Sequence, residues 1–506
     1  MEKIILTGND LTVEQVWEIA VNGAKVEISE EARKKLEAAR SFVMEVLNGD
    51  TPVYGLNRGV GWNKDHKIEN DELGEFNRKL IYSHTLGIAP DASVEEVRAI
   101  MAVRLNTLLC AHTGADPAVV ERYAEFLNAG IHPVMPERGS VGEADITLCS
   151  HIGIAMMGEG EADYKGRRVP ASEALADAGL EPIVFGPKDA HAVVCTNAFA
   201  AGQAALLLKE LCDLADTGDL VSTLSLEGLN GNVSPLDPSA LRERKLEGQQ
   251  YSAARVRKYL EGSYVCEPDP QRALQDPLCY RGAVHVNGTL REAIEYARKY
   301  LDVQMNSTDD NPCVLADEKR MVAGSNFEVT SLATAFEMLA IICAHLSHMS
   351  CYRMIKLADP ALTKLPRFLS HDGGESHCFG TIQKTFTSLD AEIRLLANPC
   401  SPDFMALAGD IEDHANNTTL VVQKLRRIAD DMRYIYGMEM MHACQAVELR
   451  MREKKLTLGK GTGAAFAEFR KRLPLYESDR PLSPDIKKAY EFIKDGVLLK
   501  EVRDRI

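Results

Sequence analysis

Three short stretches of this chain bring together side chains able to hold or move protons. In Tyr54-Gly55-Leu56-Asn57-Arg58-Gly59-Val60-Gly61 a phenol sits in a Gly-rich loop, where glycine allows positive φ and close backbone approach. A second such loop, Arg138-Gly139-Ser140-Val141-Gly142, runs directly into Glu143 and Asp145. Two neighbouring carboxylates in a dry pocket oppose each other's ionisation, so one would titrate high and act as an acid. Further on, His345, His348 and Cys351 share one face of a helix, a spacing that could hold a metal. Plain roles compete with each reading. Tyr54 could be a packing residue, Arg281 an ion-pair residue and Asp145 the N-cap of a helix over 146–157. Glu412 could complement the dipole of a long helix that it opens. The His345 face reads better as core or interface side chains than as a metal site.

The elements that must carry these residues are mostly helices. Thr12-x-x-Gln15 is a capping box for a helix ending near Gly23, Ser29 caps a helix running to Leu47, and Ser93-x-x-Glu96 opens a third. From about residue 190 the texture changes to long helical patterns, near 190–228, 283–305, 327–357, 377–397 and 411–454. The expected fold is mainly α, with a mixed, loop-rich N-terminal region (1–190) feeding a long-helix bundle (191–506), the two forming one integrated body. His191 to Leu208 carries no Asp, Glu, Lys or Arg. Its Thr196, Asn197 and Gln203 mark it as a buried bundle helix rather than a membrane span.

Composition narrows the function classes. With 58 Lys and Arg against 74 Asp and Glu among 506 residues, the net charge is −16. That disfavours a nucleic-acid binder, whose affinity comes from clustered cations. The 45% hydrophobic and 26% charged content is that of a globular chain. Twelve cysteines without a C-x-x-C pair exclude a zinc ribbon or thioredoxin-type motif. With no basic and apolar leader at the N-terminus, they point to a reducing cytoplasm. Gly59-Val60-Gly61 lacks a third glycine for dinucleotide binding, and no His-Glu-x-x-His occurs.

Nine pieces in order resemble the aromatic amino acid ammonia-lyases, the histidine branch most closely. They are Tyr54 to Gly61, Ser83-His84, Gly139-Ser-Val-Gly142, Gly158-Glu-Gly160, Gln275-Asp276-Pro277, Arg281, Asp310-Asn311-Pro312, Gly324-Ser-Asn-Phe327 and Glu412-Asp413-His414. The resemblance implies the long-helix bundle of the ammonia-lyase and fumarase type. It also implies a homotetramer whose active sites combine residues of three chains. It gives Tyr54 the part of base near the β-carbon and Arg281 that of a fork for the substrate carboxylate. His84 and Glu412 would face the imidazole, Phe327 would wall the pocket, and Gln275 would join the substrate-binding set.

Three departures fall in the site itself. The family forms a 4-methylidene-imidazol-5-one electrophile by cyclising an Ala-Ser-Gly tripeptide after the Gly-Ser-Val-Gly loop. Here Glu143-Ala144-Asp145 follows, with no serine hydroxyl to lose. Cys195 stands where the family has an Asn, with Asn197 two positions on, and Leu278 replaces a Tyr. The expectation is therefore an electrophile-free lyase, with no cofactor and no metal, converting L-histidine to urocanate and ammonia. A protonated imidazole can delocalise charge from the adjacent β-carbon, and Glu143 or Asp145 could hold the substrate ammonium. A lyase or aminomutase acting on another amino acid, and an inactive scaffold homologue, are the alternatives. Small molecules, not nucleic acid or membrane, are the expected partners.

Overall fold

The computed structural model describes residues 3–49, 51–372 and 374–505. The fold is mainly α. The chain divides into two compact units. The first comprises Met1–Lys209, Ala297–Phe336 and Pro399–Gln423, and the second Glu210–Tyr296, Glu337–Asn398 and Lys424–Ile506. The break expected at 190 thus falls after Lys209, and two later segments join the first unit. The reason is local. Residues 191–209 are tied into the first unit by buried polar bonds, among them Thr196 Oγ1 to Asp309 and the Ala200 N–H to Asp145.

The first unit is organised around the helix Val94–Leu108, buried on nearly every side, Arg104 and Asn106 included. Ser93 starts it with the expected capping box, as Thr12 does for Val13–Ala20, and Ser29 caps Glu30–Leu47. The strands among the described residues all lie in this unit. Ile4–Leu6 pairs in parallel with Val26–Ile28, and Ile88–Asp91 runs antiparallel to Pro136–Arg138. Glu161–Tyr164 is flanked antiparallel by Ile131–Pro133 and Arg167–Pro170, and Cys313–Leu315 pairs with Arg320–Val322. These short pairs fix the ends of loops and build no sheet core.

The charge-free run from His191 is broken. Asp189–Val194 is one helix, Cys195 to Asn197 turn, and Ala198–Leu229 is the long one. Two carboxylates sit on the N–H groups at the start of that helix, Asp309 on Asn197 and Asp145 on Ala200, each at 2.8–2.9 Å. Helix starts leave such groups unpaired and favour negative charge. Both Asp189–Leu229 and Thr330–Leu357 are long and apolar enough to cross a membrane, but the apolar stretch of the first is buried throughout inside the protein.

The second unit is packed from parts of four long helices: Ala198–Leu229, Ala283–Met305, Thr330–Leu357 and Thr418–Glu453. Its interior carries charge. The Arg353 guanidinium forks onto Glu439, and Ser225 and Ser350 donate to the same carboxylate. Arg291 and Asn287 donate to Asp219. His348 lies on Asp390, and the Cys351 thiol points at the Phe386 carbonyl, so this helix face uses its polar groups in packing.

Two expected spans shorten. The pattern at 377–397 becomes a turn and the helix Gln383–Leu396, and 411–454 becomes Thr418–Glu453. Glu412 therefore does not open the long helix. It lies in a turn, bridged to Leu407, where Ala408 and Asp410 adopt positive φ. The helix start belongs instead to Asn416, whose side-chain oxygen accepts from the Thr418 N–H at 3.2 Å.

Candidate active site

The Gly142–Asp145 loop is anchored by one residue and opened by another. Asp145 is completely buried. Its carboxylate accepts from Ser140 Oγ at 2.6 Å, from Thr419 Oγ1 and from the Ala200 N–H. It occupies the N-cap position of Ile146–Met156 but makes no capping bond to that helix, contrary to the plain reading. Its three bonds serve the loop itself and the starts of two long helices, Ala198–Leu229 and Thr418–Glu453. Burial raises the Asp145 carboxyl against the pull of these donors. Gly142 allows the loop to press on the segment before Thr418. Its φ is +85°, and a Cβ there would lie 2.3 Å from Asn416 Oδ1.

Glu143 faces the other way and is only partly buried. Asn416 Nδ2 donates to it at 3.0 Å and also to Glu328 at 3.3 Å. Burial, followed by the hydrogen bond and charge of Glu328, pushes the Glu143 carboxyl up to about 8. Burial acts on Glu328 too, but Thr330, Glu143 and His414 outweigh it and hold that carboxylate below its usual range. His414 Nε2 is 2.9 Å from Glu328. Of this group only Glu143 stood out in the sequence as a carboxylate near the reacting atoms. Glu328 adjoins Phe327 and His414 closes the Glu412 motif, so both were within reach as neighbours of motif residues.

Tyr54 is half-buried, and its oxygen accepts from the Gly61 N–H at 2.8 Å. Burial raises the phenol, the Gly61 donor lowers it, and Cys195 and Glu412 raise it further. Its ring meets His191 edge to face, with centroids 5.9 Å apart. His84 holds its Nδ1 on the Leu80 carbonyl at 2.7 Å and acts electrostatically on His191. Glu412 is exposed, with Oε1 3.5 Å from the position a Cβ on Gly61 would take. Tyr54, His84, His191 and Glu412 thus share one neighbourhood.

Beneath it lies a charged cluster that the sequence reading did not find. Lys188 is wholly buried, with Nζ 2.8 Å from Asp310 and 3.1 Å from His191 Nδ1. His191 Nδ1 also lies 3.5 Å from Asp310, so the lysine, the imidazole and the carboxylate form one cluster. Burial and the Lys188 charge lower the imidazole against the opposing pull of Asp310. Asp310 is held well below the carboxylate range, burial being outweighed by Lys188 and His191. Asp310-Asn311-Pro312 was a motif piece, but nothing in the sequence around Lys188 signals this pairing.

Two groups of described residues bring three metal-capable atoms within 4.8 Å: His191, Cys195 and Asp310, and Glu143, Glu328 and His414. In the first, the Lys188 ammonium already supplies a positive charge beside Asp310, and burial raises the Cys195 thiol. In the second, the Asn416 amide donates to both carboxylates. Asn197 is buried, with its amide donating to the Phe327 carbonyl at 2.7 Å and its own oxygen unpartnered. It therefore holds the backbone at Phe327. Arg281 and Gln275 belong to the second unit, where Arg281 Nη1 donates to Gln275 Oε1 at 2.7 Å. Leu278 is largely exposed, while Tyr280 is buried with its hydroxyl on the Arg353 carbonyl.

Residues 11–471 match the aromatic amino acid lyase family. The histidine ammonia-lyase of Myxococcus xanthus is 35% identical over 503 residues, covering 99% of this chain and 98% of that one. The one from Treponema denticola is 34% identical, over 98% and 97%. The structure of the ergothioneine-degrading enzyme ergothionase from Treponema denticola, in complex with desmethyl-ergothioneine sulfonic acid, superimposes with a TM-score of 0.96. It is 48% identical, covering 98% of this chain and 100% of that one. Histidine ammonia-lyase from Trypanosoma cruzi superimposes with a TM-score of 0.91 at 29% identity, covering 100% and 96%.

Proposed function

The chain belongs to the aromatic amino acid lyase family, and from that premise we propose that it is a carbon–nitrogen lyase acting on an imidazole-bearing amino acid without the family's backbone-derived electrophile. The observation that carries this reading is Glu143-Ala144-Asp145 in the place of the electrophile-forming tripeptide. Without that electrophile, elimination depends on how well the ring takes up charge and how readily the amine leaves. A primary amine leaves only while it is kept protonated. A trimethylammonium is cationic at every pH and leaves as neutral trimethylamine with no proton required.

Ergothioneine meets both needs, being the trimethylbetaine of a histidine with sulfur on its imidazole. The 48% identity to an ergothioneine-degrading enzyme supports it as the substrate. In the proposed reaction Tyr54, once deprotonated, takes the β-proton. The C–H pair becomes the Cα–Cβ double bond, and the C–N pair leaves with the amine. His84 and Glu412 hold the imidazole end, Phe327 and Asn197 shape the pocket, and Arg281, positioned by Gln275, forks onto the carboxylate. Glu143 meets the α-nitrogen, and Asp145 holds the loop that presents it.

L-histidine elimination to urocanate and ammonia is the second reading, favoured by relatives of that name at 34–35% identity. A homotetramer with shared sites, in a reducing cytoplasm, goes with both; all twelve cysteines are free thiols. The test is to offer ergothioneine, L-histidine, L-phenylalanine and L-tyrosine separately. Conjugated acid is followed by ultraviolet absorbance, and trimethylamine and ammonia by amine analysis, with and without a chelator. Trimethylamine released one-for-one from ergothioneine, surviving the chelator, is the expected result. Faster ammonia release from histidine would favour the second reading, and an intact mass short by two waters would remove the electrophile-free premise.

A further inference from the structure

Glu143 does not stand alone at the position of the missing electrophile. One amide, Asn416 Nδ2, donates to Glu143 and to Glu328, drawing their carboxyls together. His414 Nε2 adjoins the far side of Glu328, and one atom of each of the three lies within 4.8 Å of the others. Two carboxylates at such range oppose each other's ionisation. The remaining nearby acid, Asp145, is turned inward onto Ser140, Thr419 and Ala200. Glu328 from the segment before Thr330–Leu357 and His414 from the segment before Thr418–Glu453 are therefore the titratable groups facing Glu143.

We propose that Glu328 is a specificity-determining residue, forming with Glu143 a carboxyl pair that shares one proton and seats the quaternary α-nitrogen of the substrate. This rests on the reading that the amine end of the substrate lies at the Glu143 loop. A trimethylammonium has no N–H to direct at an acceptor, and its charge is spread over methyl surface. What holds it is negative charge shared among several oxygens, together with aromatic walls. Phe327 directly precedes Glu328, and Phe404 packs edge to face on His414, with ring centroids 5.2 Å apart. The pair carries one negative charge while it keeps its proton and two once it loses it. Affinity for a quaternary cation thus rises with pH as the pair deprotonates.

The experiment uses the full-length protein and Glu328→Gln, with two readouts that need no turnover. The first is the titration of protonated carboxyl groups by difference infrared spectroscopy. The wild type loses a carboxyl signal on the alkaline side of neutrality. In Glu328→Gln that loss moves at least about one pH unit lower, because Glu143 no longer faces a like charge. The second is the binding of tetramethylammonium at neutral and alkaline pH. The wild type binds more tightly at the higher pH, and Glu328→Gln binds about tenfold more weakly there and loses the dependence. An unmoved carboxyl titration overturns the pair, and a moved titration with unchanged tetramethylammonium binding overturns its role as the cation seat. A wild-type protein inert toward ergothioneine would remove the substrate reading, while these two readouts would still decide the pair.

Discussion

Single residues at this site are tuned by what surrounds them. Asp145 and Glu143 are two positions apart and chemically alike, yet one is an anchor saturated with donors and the other faces a second carboxyl. The sequence offered both as catalytic acids, and only their partners separate them. The raised Glu143 carboxyl has a consequence for stability. Below the usual range of a glutamate, near 4.5, folded and unfolded chains both keep the proton. Between there and about 8 only the folded chain keeps it. Stability attributable to this group therefore falls as pH rises across that window and is level above it. Glu143→Gln, neutral at every pH, removes the loss. Its thermal midpoint relative to wild type should climb between pH 5 and 8, by the equivalent of about 2–4 kcal/mol once partial solvation is allowed for. A difference that stays flat over this range would contradict the raised carboxyl.

At the scale of elements, the site depends on loops clamped to helix starts. The Gly142–Asp145 loop is held by the segment that begins Thr418–Glu453 and by the first turn of Ala198–Leu229. Small displacements there would move Glu143 away from its proposed place at the substrate while leaving the helices formed. Gly142→Ala tests this. The new methyl would collide with Asn416 Oδ1 and lie 2.6 Å from the Thr418 N–H, at a φ that disfavours any side chain. Turnover should fall about 10–100-fold, with far-ultraviolet circular dichroism unchanged. Full activity would show that the loop tolerates movement and that its clamp is not needed for chemistry.

At the scale of the whole molecule, the proposed substrate contacts are divided. Tyr54, His84, Glu143, Asn197, Phe327 and Glu412 belong to one unit of the chain, Arg281 and Gln275 to the other. If the protein is a tetramer with shared sites, Tyr54 and Arg281 of one site can come from different chains. Tyr54→Phe and Arg281→Met should each be inactive alone. Co-assembled in equal amounts they should recover roughly a quarter of wild-type activity, because random mixing leaves that share of sites with both residues intact. Recovery of nothing would mean that both residues of a site come from one chain, and sedimentation of each variant would check that assembly itself survives.

The sequence by itself determined what local rules and ordered motifs can carry. Capping boxes at Thr12 and Ser93 set helix starts through bonds within four residues, and the 3.6-residue periodicity marked the long helices. The order of the motifs named the family, and the residues after Gly142 carry the proposal that its chemistry departs there. Only the tertiary structure decided which charges meet. Lys188 finds Asp310 122 residues away, Asn416 reaches Glu143 across 273, and Asp309 and Asp145 sit on a helix start that neither adjoins in sequence. Pairings at such separations leave no periodic or spacing signal, because they are set by how elements pack. It was packing, too, that placed Glu412 in a turn before the helix it was expected to open, and gave Glu143 a partner that no motif named.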